Sequence, residues 1–271
     1  MNKMNEENLN HLNFEDSQRK KGIYLLPNLF TVGALFTGFY AIVAATQGRF
    51  ENAAIAIFVA ILLDNLDGRT ARLLNAVSDF GAQFDSLSDM VCFGVTPALV
   101  AYTWSLSSLG KPGWLIAFIY ATCTALRLAR FNSQSGMSDR RFFYGLATPA
   151  SAGYLASLIW LSVDYHVSGN QVSPFIAVIV LFLSFLKVST IPYRSFKDFD
   201  IRGKVPFMVI PAIALIFVFI SFSPPFIFAL LLTLYILYGP IFWLIRRNRL
   251  KQKAPLTASK VMEVSSNDHQ K

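Results

Sequence analysis

The stretch AAIAIFVAILLDNLDGRTARLLNAVSDFGAQFDSLSDMVCFGVTPALVAY, residues 53–102, sets two apolar arms around a polar centre that carries Asp64, Asp67, Asp85 and Asp89. Each arm is long and apolar enough for a helix that crosses a bilayer core of roughly 30 Å. The spacing predicts helices over 52–75 and 83–106 joined by a short loop, and so an antiparallel pair packed side by side. Asp79 falls in that loop. Four carboxylates on such helices are costly unless something offsets them.

The rest of the chain repeats the apolar pattern. Its 271 residues are 54% hydrophobic and only 15% charged, against about a quarter charged in soluble domains. Mean hydropathy is +0.46. The reading is an all-α, polytopic membrane bundle of about eight helices, over 28–47, 52–75, 83–106, 114–132, 147–163, 174–192, 206–222 and 225–245. Pro27, Pro112, Pro149, Pro174, Pro206 and Pro225 stand at or near helix starts, where a missing N–H costs little. Residues 1–22 are polar without the apolar core of a signal peptide, and 246–271 are basic and polar. Both are expected as cytoplasmic tails on a transmembrane catalytic domain, 23–245.

Charge orients the bundle. With the N-terminus inside, all of the 24 Lys and Arg except Arg49 and Lys111 fall on the cytoplasmic side or near the cytoplasmic helix ends. Topology and anionic lipid headgroups therefore account for the net charge of +8, and nucleic acid is not needed as a partner. Trp104, Trp114 and Trp243, near span ends, suit interfacial anchoring. Cys92 and Cys123 both fall inside spans, with no histidines beside them for a zinc site. They read as small buried apolar residues.

Asp64 and Asp67 are three apart and share a helix face, with Arg72 near the same stripe. Gly81, Asp85 and Asp89 form an i, i+4, i+8 row on the next helix. The rows meet across the interface at the cytoplasmic end. Gly68 and Gly81 remove side chains beside them and leave room for a backbone or a phosphate. Oxygen-only ligands favour a hard ion, Mg²⁺ or Mn²⁺, which bridges phosphates, and two ions suit the charge count. The bland alternative is that each aspartate caps a helix or pairs with Arg69 or Arg72. His11 and His269 are in the tails and His166 is in an external loop, so a general base at this site is an aspartate. Asp89, farthest along its helix, is placed to face a nucleophile.

The pattern Asp64-x2-Asp67-Gly68-x2-Ala71-Arg72-x8-Gly81-x3-Asp85-x3-Asp89 resembles the signature of the CDP-alcohol phosphatidyltransferases at every position. The resemblance implies a CDP-linked lipid donor, an alcohol acceptor, two divalent ions and release of CMP. It also implies a core of six helices, so that two of the eight are an extension, and a homodimer. Further segments resemble the bacterial, integral-membrane branch that uses serine: LLPNLFTVGALFTGFYAIVAA at 25–45, ALRLARFN at 125–132, FYGLATPASAG at 143–153 and SFKDFDIRGKVPF at 195–207. In that branch CDP-diacylglycerol and L-serine give phosphatidylserine and CMP.

By the same resemblance Asp64, Asp67, Asp85 and Asp89 bind metal, with Asp89 shared between metal and base. Asp64, Gly68, Ala71, Arg72 and Gly81 line the CDP site. Asn28 and Thr31 are further candidates there, and Asn28 reads equally as a helix cap after Pro27. A serine carboxylate suits a bidentate arginine, which points to Arg127 and Arg130; plain positive-inside topology accounts for them as well. Arg194, Lys197 and Arg202 have the same two readings, with lipid phosphate as ligand. Glycerol phosphate, inositol phosphate or choline remain as other acceptors. A membrane cation transporter is the rival from another class, although it would place its aspartates near the midplane.

Overall fold

The computed structural model describes residues 26–74, 76, 78–134, 142–194 and 223–244. Seven helices run through them. They are α1 (Leu26–Thr46), α2 (Phe50–Leu73), α3 (Asp79–Trp104), α4 (Lys111–Gln134), α5 (Thr148–Asp164), α6 (Ser173–Val188) and α7 (Pro224–Leu244). The helix expected at 206–222 and the tails 1–22 and 246–271 lie outside the described residues. Four helices, α1, α3, α4 and α7, are long and apolar enough to cross a membrane. The fold is all-helical and membrane-embedded in character.

Helix ends follow local chemistry more closely than hydropathy does. α3 starts at Asp79, four residues before the expected start and not in a loop, because Ser78 caps it and accepts a hydrogen bond from Gly81 N at 3.0 Å. α6 stops at Val188, short of the expected 192, where Ser189 turns extended three residues before a proline-containing strand.

α3 is continuous but not uniform. Its middle, Met90–Val95, is a π-helical turn between two α-helical segments. Pro97 supplies a reason. A proline inside a helix lacks a donor and crowds the carbonyl four residues back, and a widened turn relieves both.

α2 packs along α5, α4 along α6, and the π-turn of α3 against α4. The core is built largely from small residues such as Ala41, Ala53, Ala60, Ala101, Ala152 and Ala156, which let helix backbones approach closely. Many large apolar side chains point outward: Phe36, Leu62, Phe118, Phe175 and Phe185 are each more than half exposed. That inversion suits a lipid surround. α7 closes the bundle by stacking Phe228 on Phe58 of α2, with ring centroids 4.6 Å apart. Trp104 is buried, not at the outer surface, whereas Trp114 is half exposed.

One feature has no helical counterpart. Phe142–Tyr144 (β1) and Pro192–Arg194 (β2), from the connectors after α4 and α6, pair as a short antiparallel ribbon at the aspartate end. Gly145 makes the turn from β1 with φ of +81°, and a Cβ there would run into the Lys187 carbonyl. Its N–H bonds Ile191 O at 2.9 Å, and Leu146 N–H bonds Leu186 O at 3.0 Å.

Candidate active site

The antiparallel pair α2 and α3, with α1 beside them, brings the two aspartate rows together. One carboxylate oxygen from each of Asp64, Asp67 and Asp85 lies within 4.8 Å of the others. The Asp64 and Asp89 carboxyls are within hydrogen-bonding reach of each other. Asp67 is buried and accepts a hydrogen bond from Thr31 Oγ1 at 2.9 Å. Asp89 Oδ1 is buried with no hydrogen-bond partner among the described residues.

Among the described residues, no Lys or Arg nitrogen lies within ion-pair distance of these four carboxyls. Arg72 acts on Asp67 through space, as a nearby positive charge. The Arg72 guanidinium lies over Gly68, 3.6 Å from where a Cβ would stand. Carboxylates this close repel unless a cation or shared proton stands between them. Three converging carboxylate oxygens, a fourth carboxyl in reach and an orphaned buried oxygen form a donor set that fits a hard divalent cation.

The other expected residues divide. Asn28, Thr31, Gly68, Asp67, Gly81 and Asp85 gather at one end of the bundle. Asn28 stands inside the first turn of α1 and not ahead of it, so it is not an N-cap; its Oδ1 is 3.5 Å from where a Gly81 Cβ would stand. Ala71 lies one turn beyond Asp67 on α2, where its carbonyl accepts from Ala76 N–H at 2.9 Å. Arg127 and Arg130 reach the same end of the bundle on α4 but turn toward α6 and the Gly145 turn. Arg130 Nη1 donates to Val188 O at 3.0 Å and so closes the last turn of α6. Arg127 lies against Gly145, its Nη1 3.0 Å from where a Cβ would stand. Arg194 enters β2, and Lys197 and Arg202 lie outside the described residues. His166 sits in the turn after α5, with φ of +54°, away from the aspartates. Cys92 and Cys123 are free thiols.

Sequence reasoning missed five contacts at the site and along α3. Thr31 reaches Asp67, as above. Asn132 of α4 donates to Ser86 Oγ at 3.0 Å, one residue after Asp85. Ser88, Cys92 and Thr96 of α3 donate to Thr31 O, Ala34 O and Gly38 O of α1 at 3.3, 3.2 and 3.2 Å. A four-residue repeat of small donors in α3 was the available signal for the last.

The sequence pattern of the CDP-alcohol phosphatidyltransferases matches residues 24–188, more than half of the chain. The chain belongs to that family. It is similar to the CDP-diacylglycerol–serine O-phosphatidyltransferase of Helicobacter pylori, with 38% identity over 223 residues, 82% of this chain and 92% of that protein. The protein of the same name from Methanocaldococcus jannaschii is 33% identical over 220 residues, covering 81% and 94%. That of Bacillus subtilis is 36% identical over 172 residues, covering 64% and 91%. Membership makes this a membrane-embedded phosphotransferase of a divalent-metal-dependent family, and it displaces the transporter reading. The matched segment spans α1 to α6 and contains all eight motif positions.

Proposed function

We propose that this chain transfers the phosphatidyl group of CDP-diacylglycerol to the hydroxyl of L-serine, giving phosphatidylserine and CMP. The observation that carries the reading is the Asp64, Asp67 and Asp85 cluster in a family member whose relatives bear that activity in their names. Asp64, Asp67 and Asp85, with Asp89 beside Asp64, would hold Mg²⁺ or Mn²⁺, as two ions. Bound there, the metal supplies charge neutralisation for the diphosphate and for the departing CMP.

The chain's own groups do the rest. Small residues at Gly68, Ala71 and Gly81 leave space for the nucleotide diphosphate, with Asn28 and Arg72 at the rim and Thr31 on the floor. Asp89 takes the serine hydroxyl proton on its unpartnered Oδ1 as the serine oxygen bonds to the lipid-side phosphorus. The bond from that phosphorus to the CMP oxygen breaks, and CMP leaves with its electron pair. In-line positioning and electrostatics suffice for such a transfer. Arg127 and Arg130 are the groups assigned to the serine carboxylate. A guanidinium has five N–H donors, so the bond from Arg130 to Val188 leaves others available.

The aspartate end faces the cytoplasm of the cell membrane, because the basic residues concentrate there and soluble serine arrives from that side. The working unit is a homodimer. The test is to incubate the purified protein with CDP-diacylglycerol, labelled serine and Mn²⁺ or Mg²⁺, with and without chelator. Labelled lipid and CMP that both vanish with chelator are expected. Release of CMP with the label left in free serine would transfer the assignment to glycerol phosphate, inositol phosphate or choline, each then supplied in turn, with water alone as the control for hydrolysis.

A further inference from the structure

The geometry points to Thr31 as a positioning residue of the aspartate centre: its hydroxyl aims the Asp67 carboxylate, and a buried seam of donors on α3 holds Thr31 in place. The assignment rests on the metal-binding reading above. Thr31 is buried on α1, and it is the only side chain among the described residues that donates to Asp67. Its backbone carbonyl accepts from Ser88 Oγ of α3. A single residue of α1 therefore ties the row on α2 to the helix α3, through its hydroxyl to Asp67 on one side and its carbonyl to Ser88 on the other.

The seam continues away from the site. Ser88, Cys92 and Thr96 are all buried, and each donates to an α1 carbonyl. The helices come so close that a Cβ on Gly38 would stand 2.9 Å from Cys92 Sγ and 3.3 Å from Cys92 Cα. In a regular α-helix each four-residue step rotates by about 40°, so Ser88 and Thr96 would face directions about 80° apart. The π-turn over Met90–Val95 falls between them and begins directly after Asp89. A wider turn takes up that drift, so the seam keeps facing α1 while Asp85 and Asp89 keep facing α2.

The chemical consequence is specific. A metal-binding carboxylate keeps its orientation through the donor on its other side, and loss of such a donor typically costs about 10–100-fold in metal affinity. Neither Thr31 nor Ser88 touches the metal in this account, and neither takes a proton.

The test is direct Mn²⁺ binding to the full chain in detergent or nanodiscs without substrate, read as loss of the free-ion signal in electron paramagnetic resonance. Thr31→Val keeps the shape and removes the hydroxyl, and should bind Mn²⁺ about 10–100-fold more weakly with the thermal midpoint shifted by only a few degrees. Thr31→Ser should restore affinity to within about threefold, since it restores the donor. Ser88→Ala, which leaves the Thr31 hydroxyl intact but loosens its anchor, should show a smaller loss, and it decides the matter together with Thr31→Ser if Thr31→Val does not fold. Wild-type affinity in Thr31→Val, or in Ser88→Ala when that variant must decide, overturns the assignment, as does a Thr31→Ser protein as weak as Thr31→Val. Those results leave the metal reading standing. Absence of Mn²⁺ binding by the wild type, or unchanged binding in Asp67→Asn, overturns the metal reading and the assignment together.

Discussion

The aspartate end of the bundle has two charged walls, and they are completed to different degrees. On the basic side, Lys187 of α6 is fully buried, yet its Nζ lies 2.7 Å from Thr124 Oγ1 and 3.0 Å above the Tyr120 ring centroid. Tyr120 in turn shares a hydrogen bond with Ser151 at 3.0 Å, and Arg130 closes the end of α6. On the acidic side, four carboxyls crowd together with one side-chain donor, Thr31, and Asp89 Oδ1 has no partner among the described residues. Buried polar groups in folded proteins are normally satisfied, so an exception calls for a reason. On the basic side, the Lys187, Tyr120 and Ser151 part is finished by the protein and serves as scaffold. The acidic wall keeps an unpartnered oxygen beside a cluster that could hold a metal ion.

The sharpest way to break this contrast is to alter the unfinished wall. Asp89→Asn keeps the shape and removes the proton acceptor, so serine transfer should fall by about 10²–10⁴-fold, the usual worth of a general base. Metal-dependent binding of CDP should stay close to that of the wild type. Measurement of both on one preparation separates the two roles; turnover like that of the wild type would end the assignment of Asp89 as base. Gly38→Ala acts at a distance and should do less. The added Cβ meets Cys92 Sγ at 2.9 Å, and overpacking of this kind costs about 1–3 kcal/mol. A lower thermal midpoint and roughly tenfold weaker activity are expected as α3 shifts against α1. Cys92→Ala in the same chain should return part of both, and the coupling is read from the double-mutant cycle.

How much of this was visible in the sequence depends on the kind of interaction. Asp64 with Asp67, and Asp85 with Asp89, follow from helical spacing, and the short connection between their helices brings the rows together. The ends of α3 and α6 were displaced because hydropathy does not register a Ser78 cap or an extended Ser189. The β1–β2 ribbon has three residues to a strand, too few to carry an alternating pattern. The α1–α3 seam was illegible for another reason. Its acceptors are backbone carbonyls, which every residue possesses, so only the donors at 88, 92 and 96 and the interior Pro97 left a mark. Arg127 and Arg130 show the limit of charge reasoning, because topology and ligand binding both call for arginine at that end. The bond from Arg130 to Val188 adds a third role, closing a helix, that no charge pattern signals.

The smallest expected effect tests the finished wall. Lys187→Met keeps much of the length and apolar contact of the side chain while it removes the ammonium. Nothing acidic is left unpaired, since among the described residues the partners of Lys187 are a hydroxyl and an aromatic ring. Thr124 Oγ1 still donates to Tyr120 O at 2.9 Å without it. A buried charge gives back in desolvation much of what its contacts supply, so its replacement by an apolar residue of similar volume is often neutral or stabilising. The thermal midpoint should hold or rise, and serine transfer should stay within about threefold of wild type, the scale of 0.6 kcal/mol. A rise of tenfold or more in the KM for serine, with the KM for CDP-diacylglycerol unchanged, would place Lys187 in the acceptor site beside Arg127 and Arg130. The same substitution to Glu would bury an anion beside Tyr120 and Thr124 and should destabilise the bundle strongly, so the pair of variants tells apart a site that tolerates loss of charge from one that tolerates any change.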